Sequence, residues 1–206
     1  NKSNIFSQIT ECIQSIMLFN IQTNKKENFM AHTPSTMLEL GTQCPDFSLS
    51  DMNGKRISNR DFEKHPLLVA FICNHCPYVK NIIDVLARRL KDYQDNGVRV
   101  VTIMSNDYQA YPNDKPEEMK KVAETFKFTF PYLLDESQEV AKKFRAACTP
   151  DFFLFDSNHK LVYRGQFDDS RPGNDEPVTG RDLSLAVEHL LTGEPISQEQ
   201  KPSVGC

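Results

Sequence analysis

Between Leu38 and Gly193 the hydrophobic residues fall into short blocks whose spacing switches between strand and helix periods. Phe47-Ser48-Leu49 alternates, Asn53-Gly54 is a strong turn signal, and Arg56-Ile57-Ser58 returns, which predicts a small β-hairpin. Leu67-Leu68-Val69-Ala70-Phe71-Ile72 is apolar without a break, as a strand covered on both faces must be. After Pro77, the residues Val79, Ile82, Ile83, Leu86, Leu90 and Tyr93 share one stripe of a helix that Asn96-Gly97 ends. Val98 to Met104 is a second buried strand, and strand, helix and strand in that order predict a right-handed crossover between parallel neighbours. Glu117 to Phe126 is helical, Tyr132-Leu133-Leu134 is a short strand, and Gln138 to Ala146 is another helix. Asp151 to Phe155 and Leu161 to Gln166 flank the polar turn Asp156 to Lys160 as an antiparallel hairpin, and a last helix runs from about Asp182 to Leu191.

The flanks read differently. Ile5, Ile9, Cys12, Ile13, Ile16 and Met17 recur at helical spacing, but Gln8, Thr10, Glu11 and Gln14 interrupt them, so this is neither a signal peptide nor a membrane span. Asn20 to Thr36 is mostly polar and reads as a linker, and Met30-Ala31 is a candidate natural start. The expected division is an extension and linker over 1–36, one α/β domain over 37–195 and a tail over 196–206. The tail ends Pro202-Ser203-Val204-Gly205-Cys206 and is expected to be exposed and flexible, the alternative being that Cys206 reaches over as a second resolving thiol.

A chain of 206 residues that is 39% hydrophobic can bury one sizeable core, so two full domains are not expected. Twenty-four basic against 28 acidic residues leave a net charge of −4, with no long basic run to neutralise phosphates; nucleic acid is excluded as a partner. Six cysteines are too few for a disulfide scaffold, and Cys12, Cys44, Cys148 and Cys206 stand singly, which fits a reducing, cytoplasmic compartment.

The remaining two cysteines carry the chemistry. Cys73-Asn74-His75-Cys76-Pro77 follows the buried strand directly, which places a dithiol at a strand's carboxyl end, where open α/β sheets bind and react. Pro77 suits the first helical position and makes Cys76 the N-cap, where unpaired backbone N–H groups and the positive dipole end favour thiolate. A thiol of pKa about 8.5 is roughly 3% ionised at neutral pH, and lowering it about two units takes roughly 2.7 kcal/mol. A helix terminus supplies at most about 2 kcal/mol, so hydrogen bonds or a protonated His75 must supply the rest. Cys73, in the loop, is then the resolving partner, because a disulfide needs Cβ atoms about 3.8 Å apart and helical i, i+3 neighbours sit nearer 5 to 6 Å. A structural zinc site normally takes four ligands in two close pairs, and no second pair exists, so neither metal nor cofactor is expected. Copper held by Cys73, Cys76 and a histidine is the alternative that makes the chain a binding module.

The element order with a dithiol after the first core strand resembles the thioredoxin superfamily over roughly Leu38 to Gly193. Thr149-Pro150, just before Asp151-Phe152-Phe153-Leu154-Phe155, sits where that family keeps a cis proline facing the thiols. The resemblance implies a thioredoxin-like α/β fold: a central mixed sheet flanked by helices, an opening β-hairpin and an inserted α/β unit. It also implies that the Thr149 backbone pairs with the substrate polypeptide while Pro150 lies against the sulfurs. Gly41, Pro45-Asp46-Phe47, Asn53-Gly54 and Asp61-Phe62 resemble the opening of the peroxiredoxin (AhpC/TSA) branch. Cys73 to Val79, Tyr132 to Glu136, Ala147 to Pro150 and Asp168 to Gly173 are similar to a bacterial peroxiredoxin-like thioredoxin group. There are departures: Val69 and Cys73 stand where a peroxiredoxin keeps a proline and a threonine or serine, and Ala70 stands where thioredoxin keeps a buried acid.

Thiol-disulfide exchange through Cys73 and Cys76 is therefore the expected function, with protein or small-molecule thiols and disulfides as partners and no membrane involved. Thiol-dependent peroxide reduction is the alternative. By resemblance His75 stabilises the thiolate, with Thr149 and Pro150 completing the site. Cys44 and Cys148 read as small core residues, and Asp168, Asp169, Arg171, Asp175 and Glu176 as a solvated loop.

Overall fold

The computed structural model describes residues 32–206. The Ile5 to Met17 stripe, Cys12 and the Met30 start lie outside those residues.

Among the described residues, nine strands and four α-helices follow in chain order: β1 Thr33–Pro34, β2 Ser48–Asp51, β3 Arg56–Ser58, β4 Leu67–Phe71, α1 Pro77–Asp95, β5 Arg99–Met104, α2 Pro116–Thr125, β6 Tyr132–Leu134, α3 Glu139–Phe144, β7 Asp151–Phe155, β8 Leu161–Gly165, α4 Arg181–Thr192 and β9 Val204–Gly205. Seven strands make one mixed sheet in the order β3-β2-β6-β5-β4-β7-β8, and β1 pairs with β9 apart from it. The predicted crossover is present: β4 and β5 are parallel, with Val69 opposite Val101, and β7 runs antiparallel on the other side of β4, with Val69 opposite Phe153. The opening hairpin joins through β6, the strand of the inserted unit.

Every residue of β4 and β7 is buried, because helices cover both faces. Odd-numbered residues of the central strands, among them Leu67, Val69, Phe71, Val101, Ile103, Phe153 and Phe155, point into one core cluster with Val140 and Phe144 of α3. Phe144 is its hub, with ring centroids 5.3 Å from Phe71, 5.5 Å from Phe153 and 6.1 Å from Phe155. α1 buries the predicted stripe from Val79 to Tyr93 and meets α4 where the Tyr93 hydroxyl lies 2.7 Å from Ser184 Oγ.

Two expectations need correction. The helix predicted to reach Ala146 stops at Phe144, because Arg145 takes a left-handed φ of 54° and its N–H turns back to Ala141 and Lys142. The stretch expected to be an exposed tail is tied down: β9 pairs with β1, the Ser35 N–H donates to the Ser203 carbonyl (2.8 Å), and Ser203 is 1% exposed. Lys201 adds an ion pair to Asp169 (2.8 Å), and its carbonyl accepts from the Gln166 N–H (3.0 Å).

Candidate active site

β4 ends at Phe71, and the Ile72 N–H still donates to the Ile103 carbonyl, so the sheet carries the chain rigidly up to Cys73. Residues 73–76 then turn into α1, with Pro77 at its first position and Cys76 as the extended N-cap (φ −62°, ψ 124°). The turn is held from outside. The buried Asp114 carboxylate accepts the backbone N–H groups of Asn74 (2.7 Å) and His75 (3.2 Å) through Oδ1, and Oδ2 lies 2.5 Å from His75 Nδ1. The Tyr132 hydroxyl donates to Asn74 Oδ1 (3.1 Å), and Asn74 Nδ2 donates to the Asn113 carbonyl (2.8 Å). Tyr111 stacks on the His75 ring at 4.2 Å. Asp114 and Tyr111 thus fix the His75 ring, whose ligating nitrogen lies within 4.8 Å of the Cys73 sulfur.

The Thr149-Pro150 peptide is cis, and Thr149 meets both thiols. Its hydroxyl is 3.2 Å from Cys73 Sγ and its carbonyl oxygen 3.0 Å from Cys76 Sγ. The carbonyl accepts the S–H while Cys76 is protonated and opposes ionisation. A third sulfur is present, since Cys206 Sγ lies 2.8 Å from Cys76 Sγ. The Thr149 N–H donates to the Cys206 carbonyl (2.9 Å), and Gly205 lies so close that a Cβ there would fall 1.9 Å from the Thr149 carbonyl oxygen. Cys73, Cys76, Thr149 and Pro150 are thus together, joined by Cys206.

The balance of these contacts makes Cys76 the acidic thiol. A hydrogen bond from Cys73 lowers it most; Cys206, the Thr149 side chain and the Val79 N–H in the first turn of α1 add to this, and together they outweigh burial and bring it down to about 5. Cys73 is pushed far up, first by the hydrogen bond it gives to Cys76 and then by burial. Burial and the same anion raise Cys206 to about 12. Cys148 is buried and pushed up by desolvation, and Cys44, raised to about 12, packs in the apolar core; both are core residues as expected.

Asp168 and Asp169 of the expected solvated loop form a clasp instead, while Asp175 and Glu176 are exposed as expected. Asp168 is 2% exposed and accepts the N–H groups of Ser170, Thr179 and Gly180, fixing the start of α4, while Asp169 pairs with Arg181 and Lys201. Among the described residues, Cys73, His75 and Asp114 are the group whose ligand atoms come within 4.8 Å of one another. Asp114 already accepts from two backbone N–H groups, and three donors fall one short of a structural zinc set. A cleft of about 230 Å³, lined by Ser105, Asn106, Gln138, Cys148, Thr149 and Cys206, opens beside the sulfurs.

Sequence reasoning missed Asp114 and Tyr111, and held a Cys206 that reaches the dithiol only as the alternative to a free tail. The first two sit near a Pro112–Asp114 3-10 turn that has no periodicity to read; the only available signal was a buried-type acid between two prolines.

The family model of the AhpC/TSA family matches residues 40–164. The thiol-disulfide oxidoreductase ResA of Geobacillus thermodenitrificans is 25% identical over 129 residues, which cover 63% of this chain and 70% of that protein. The crystal structure of a conserved protein from Geobacillus kaustophilus is 50% identical with a TM-score of 0.83, covering 86% of this chain and 95% of the other. That of a hypothetical protein from Sinorhizobium meliloti is 47% identical with a TM-score of 0.82, covering 84% and 96%. A secreted Mycobacterium tuberculosis disulfide oxidoreductase homologous to E. coli DsbE has the same fold at 14% identity (TM-score 0.55, 70% of this chain and 96% of that one). That match overturns the cytoplasmic expectation. Few scattered cysteines argue against a scaffold of bridges, but a single exchangeable pair serves a secreted protein equally well. Among the described residues no helix is long and apolar enough to cross a membrane. By the extent of the family match and the activity its relatives share, the chain belongs to the AhpC/TSA family and is a thioredoxin-like thiol-disulfide oxidoreductase.

Proposed function

We propose that the Cys73–Cys76 pair carries the exchange, with Cys76 attacking and Cys73 resolving, within a catalytic unit spanning 37–195. The observation that supports this most is the place of Cys76 at the N-cap of α1, with Cys206 Sγ at 2.8 Å and the Thr149 hydroxyl 3.2 Å from Cys73 Sγ, a setting in which the Cys76 thiol is lowered to about 5 and the Cys73 thiol is raised. Protein disulfides are the substrate class. The Cys76 thiolate attacks one sulfur of a substrate disulfide; a mixed disulfide forms and the substrate's other sulfur leaves as thiolate. The anion that held Cys73 protonated is then gone, so Cys73 gives up its proton and attacks Cys76 Sγ. The Cys73–Cys76 bond forms, the second substrate sulfur leaves, and one proton is shared out to the two released thiols. Thr149 positions the incoming polypeptide through its backbone, and Pro150 holds that backbone in place.

Peroxide reduction is the reading that family membership favours. Val69 is buried in the core and Cys73 is a thiol, so neither position offers the proline and hydroxyl of a peroxide pocket. The two readings separate in one experiment on the whole protein: reduction of insulin disulfides beside stopped-flow oxidation by hydrogen peroxide. Exchange predicts insulin reduction that Cys76→Ser abolishes and a mixed disulfide trapped by Cys73→Ser, with peroxide reacting at the rate of an ordinary thiolate. Rapid peroxide oxidation with no insulin reduction overturns it.

A further inference from the structure

The contacts of Ser203 to Cys206 are those of a docked ligand. The segment lies extended, its Cys206 carbonyl accepts the Thr149 N–H, and its sulfur stops 2.8 Å from the attacking sulfur of the site. The Thr149 backbone is also where a substrate polypeptide is expected. Docking is shaped to one residue type: at Gly205 any side chain would meet the Thr149 carbonyl oxygen at 1.9 Å and its carbon at 2.6 Å. The segment is held behind the sulfur by the β1–β9 pair, the Ser203 hydroxyl donating to the Gly165 carbonyl (2.5 Å) and the Lys201 contacts with Gln166 and Asp169. None of these anchors involves the dithiol loop, so the approach of Cys206 to Cys76 is built by the fold.

We propose that Ser203–Cys206 is an in-chain disulfide partner: it docks on Thr149 as a substrate polypeptide would and brings Cys206 to exchange with Cys76. The proposal rests on the Cys73–Cys76 reading above. Once that pair is oxidised and the reduced substrate has left, the segment returns. Cys206, as thiolate, attacks Cys76 Sγ; the Cys76–Cys206 bond forms, the Cys73–Cys76 bond breaks, and its electron pair leaves on Cys73, which takes up the proton Cys206 lost. One disulfide is exchanged for another and no external oxidant is consumed. With Cys76 in a disulfide, the anion that raises Cys206 is absent, so Cys206 reaches its thiolate more readily, while Cys73, buried beside Thr149, is a ready proton acceptor. Closing the contact from 2.8 Å to a bond of about 2.05 Å needs a shift of under about 1 Å. Because segment and substrate need the same Thr149 edge, they exclude one another, and favoured substrates carry a glycine before the attacked cysteine.

The test maps disulfides by mass after proteolysis of the full chain under non-reducing conditions. In Cys73→Ser oxidised with diamide, the Cys76 peptide is expected linked to the Cys206 peptide within one molecule. Adding Gly205→Ala, an overpacked backbone contact, slows that linkage about tenfold. Cys76 found only in intermolecular links, with Cys206 free to alkylation, overturns the proposal. The unmutated protein, poised across a glutathione redox series, guards against a misfolded variant. A 76–206 link there supports the proposal. A 73–76 link alone, with Cys206 alkylated throughout, refutes it and leaves the proposed function standing; neither link refutes both.

Discussion

Cys73→Ala removes the donor that lowers Cys76 most, and the size of the effect follows from the contacts. Bringing Cys76 from an ordinary 9.0 to about 5 amounts to roughly 5 kcal/mol at 1.36 kcal/mol per pKa unit. A helix N-terminus accounts for up to about 2 kcal/mol, so the hydrogen bonds must supply the remainder against burial. One hydrogen bond to a charged group is worth about 1.5 to 3 kcal/mol, so losing the Cys73 donor moves the midpoint up by about 1 to 2 units, to between about 6 and 7. Cys73→Ser keeps a hydroxyl donor and falls between the two. The assay is iodoacetamide alkylation from pH 4 to 9, resolved by mass on the Cys76 peptide so that other thiols do not contribute. The midpoint of the rate profile is the readout. The plateau rate rises about 2.5- to tenfold in the alanine variant, since nucleophilicity grows with basicity at a Brønsted slope of about 0.4 to 0.5. A wild-type midpoint near 8.5, or an alanine midpoint within about half a unit of wild type, refutes the view that Cys73 sets the acidity of Cys76.

Asp151, buried at the start of β7 with Oδ1 unpartnered, has its carboxyl raised from 3.8 to about 7 by desolvation. The folded state therefore keeps a proton that the unfolded chain has lost between those values, so stability falls as pH rises through that window, by on the order of 4 kcal/mol, and the slope ends above about 7. Urea midpoints at pH 5 and pH 7.5 should differ less in Asp151→Asn than in wild type; equal differences count against the buried acid. Asp114→Ala strands two backbone N–H groups, costing about 2 kcal/mol or more and speeding amide exchange at Asn74 and His75; unchanged exchange there would show that the clamp is idle. Phe144→Ala empties the hub of the core cluster and should cost about 3 to 5 kcal/mol in urea denaturation, with a loss under about 1 kcal/mol ruling out that hub role.

The central strands, α1 and the dithiol were legible because their signals are local: an unbroken apolar run, a 3.6-residue stripe and a proline that fixes the helix start. What stayed hidden depends on partners far along the chain. Asp114 meets Asn74 and His75 across about forty residues, and nothing near Asp114 announces that contact. Thr33–Pro34 and Val204–Gly205 are two residues each, too short to show alternation, and their pairing joins opposite ends of the described region. Asp168 reads as a solvated charge until Thr179 and Gly180 fold over it. The His75 role was expected from resemblance, but the Tyr111 face and Asp114 carboxylate that fix its ring lie some forty residues away and leave no local signal.

The hydrogens that steady the Cys76 charge come largely from other thiols, Cys73 and Cys206, and not from an arginine or lysine. Such donors wear out: successive peroxide molecules, each taking two electrons, that carry either neighbour past the sulfenic acid to a sulfinic or sulfonic acid replace a donor with a negative charge. The nucleophile then dulls without being touched itself. Reactivity at Cys76 thus keeps a log of the oxidative insults its neighbours have absorbed, which a site built on guanidinium or ammonium groups would never record.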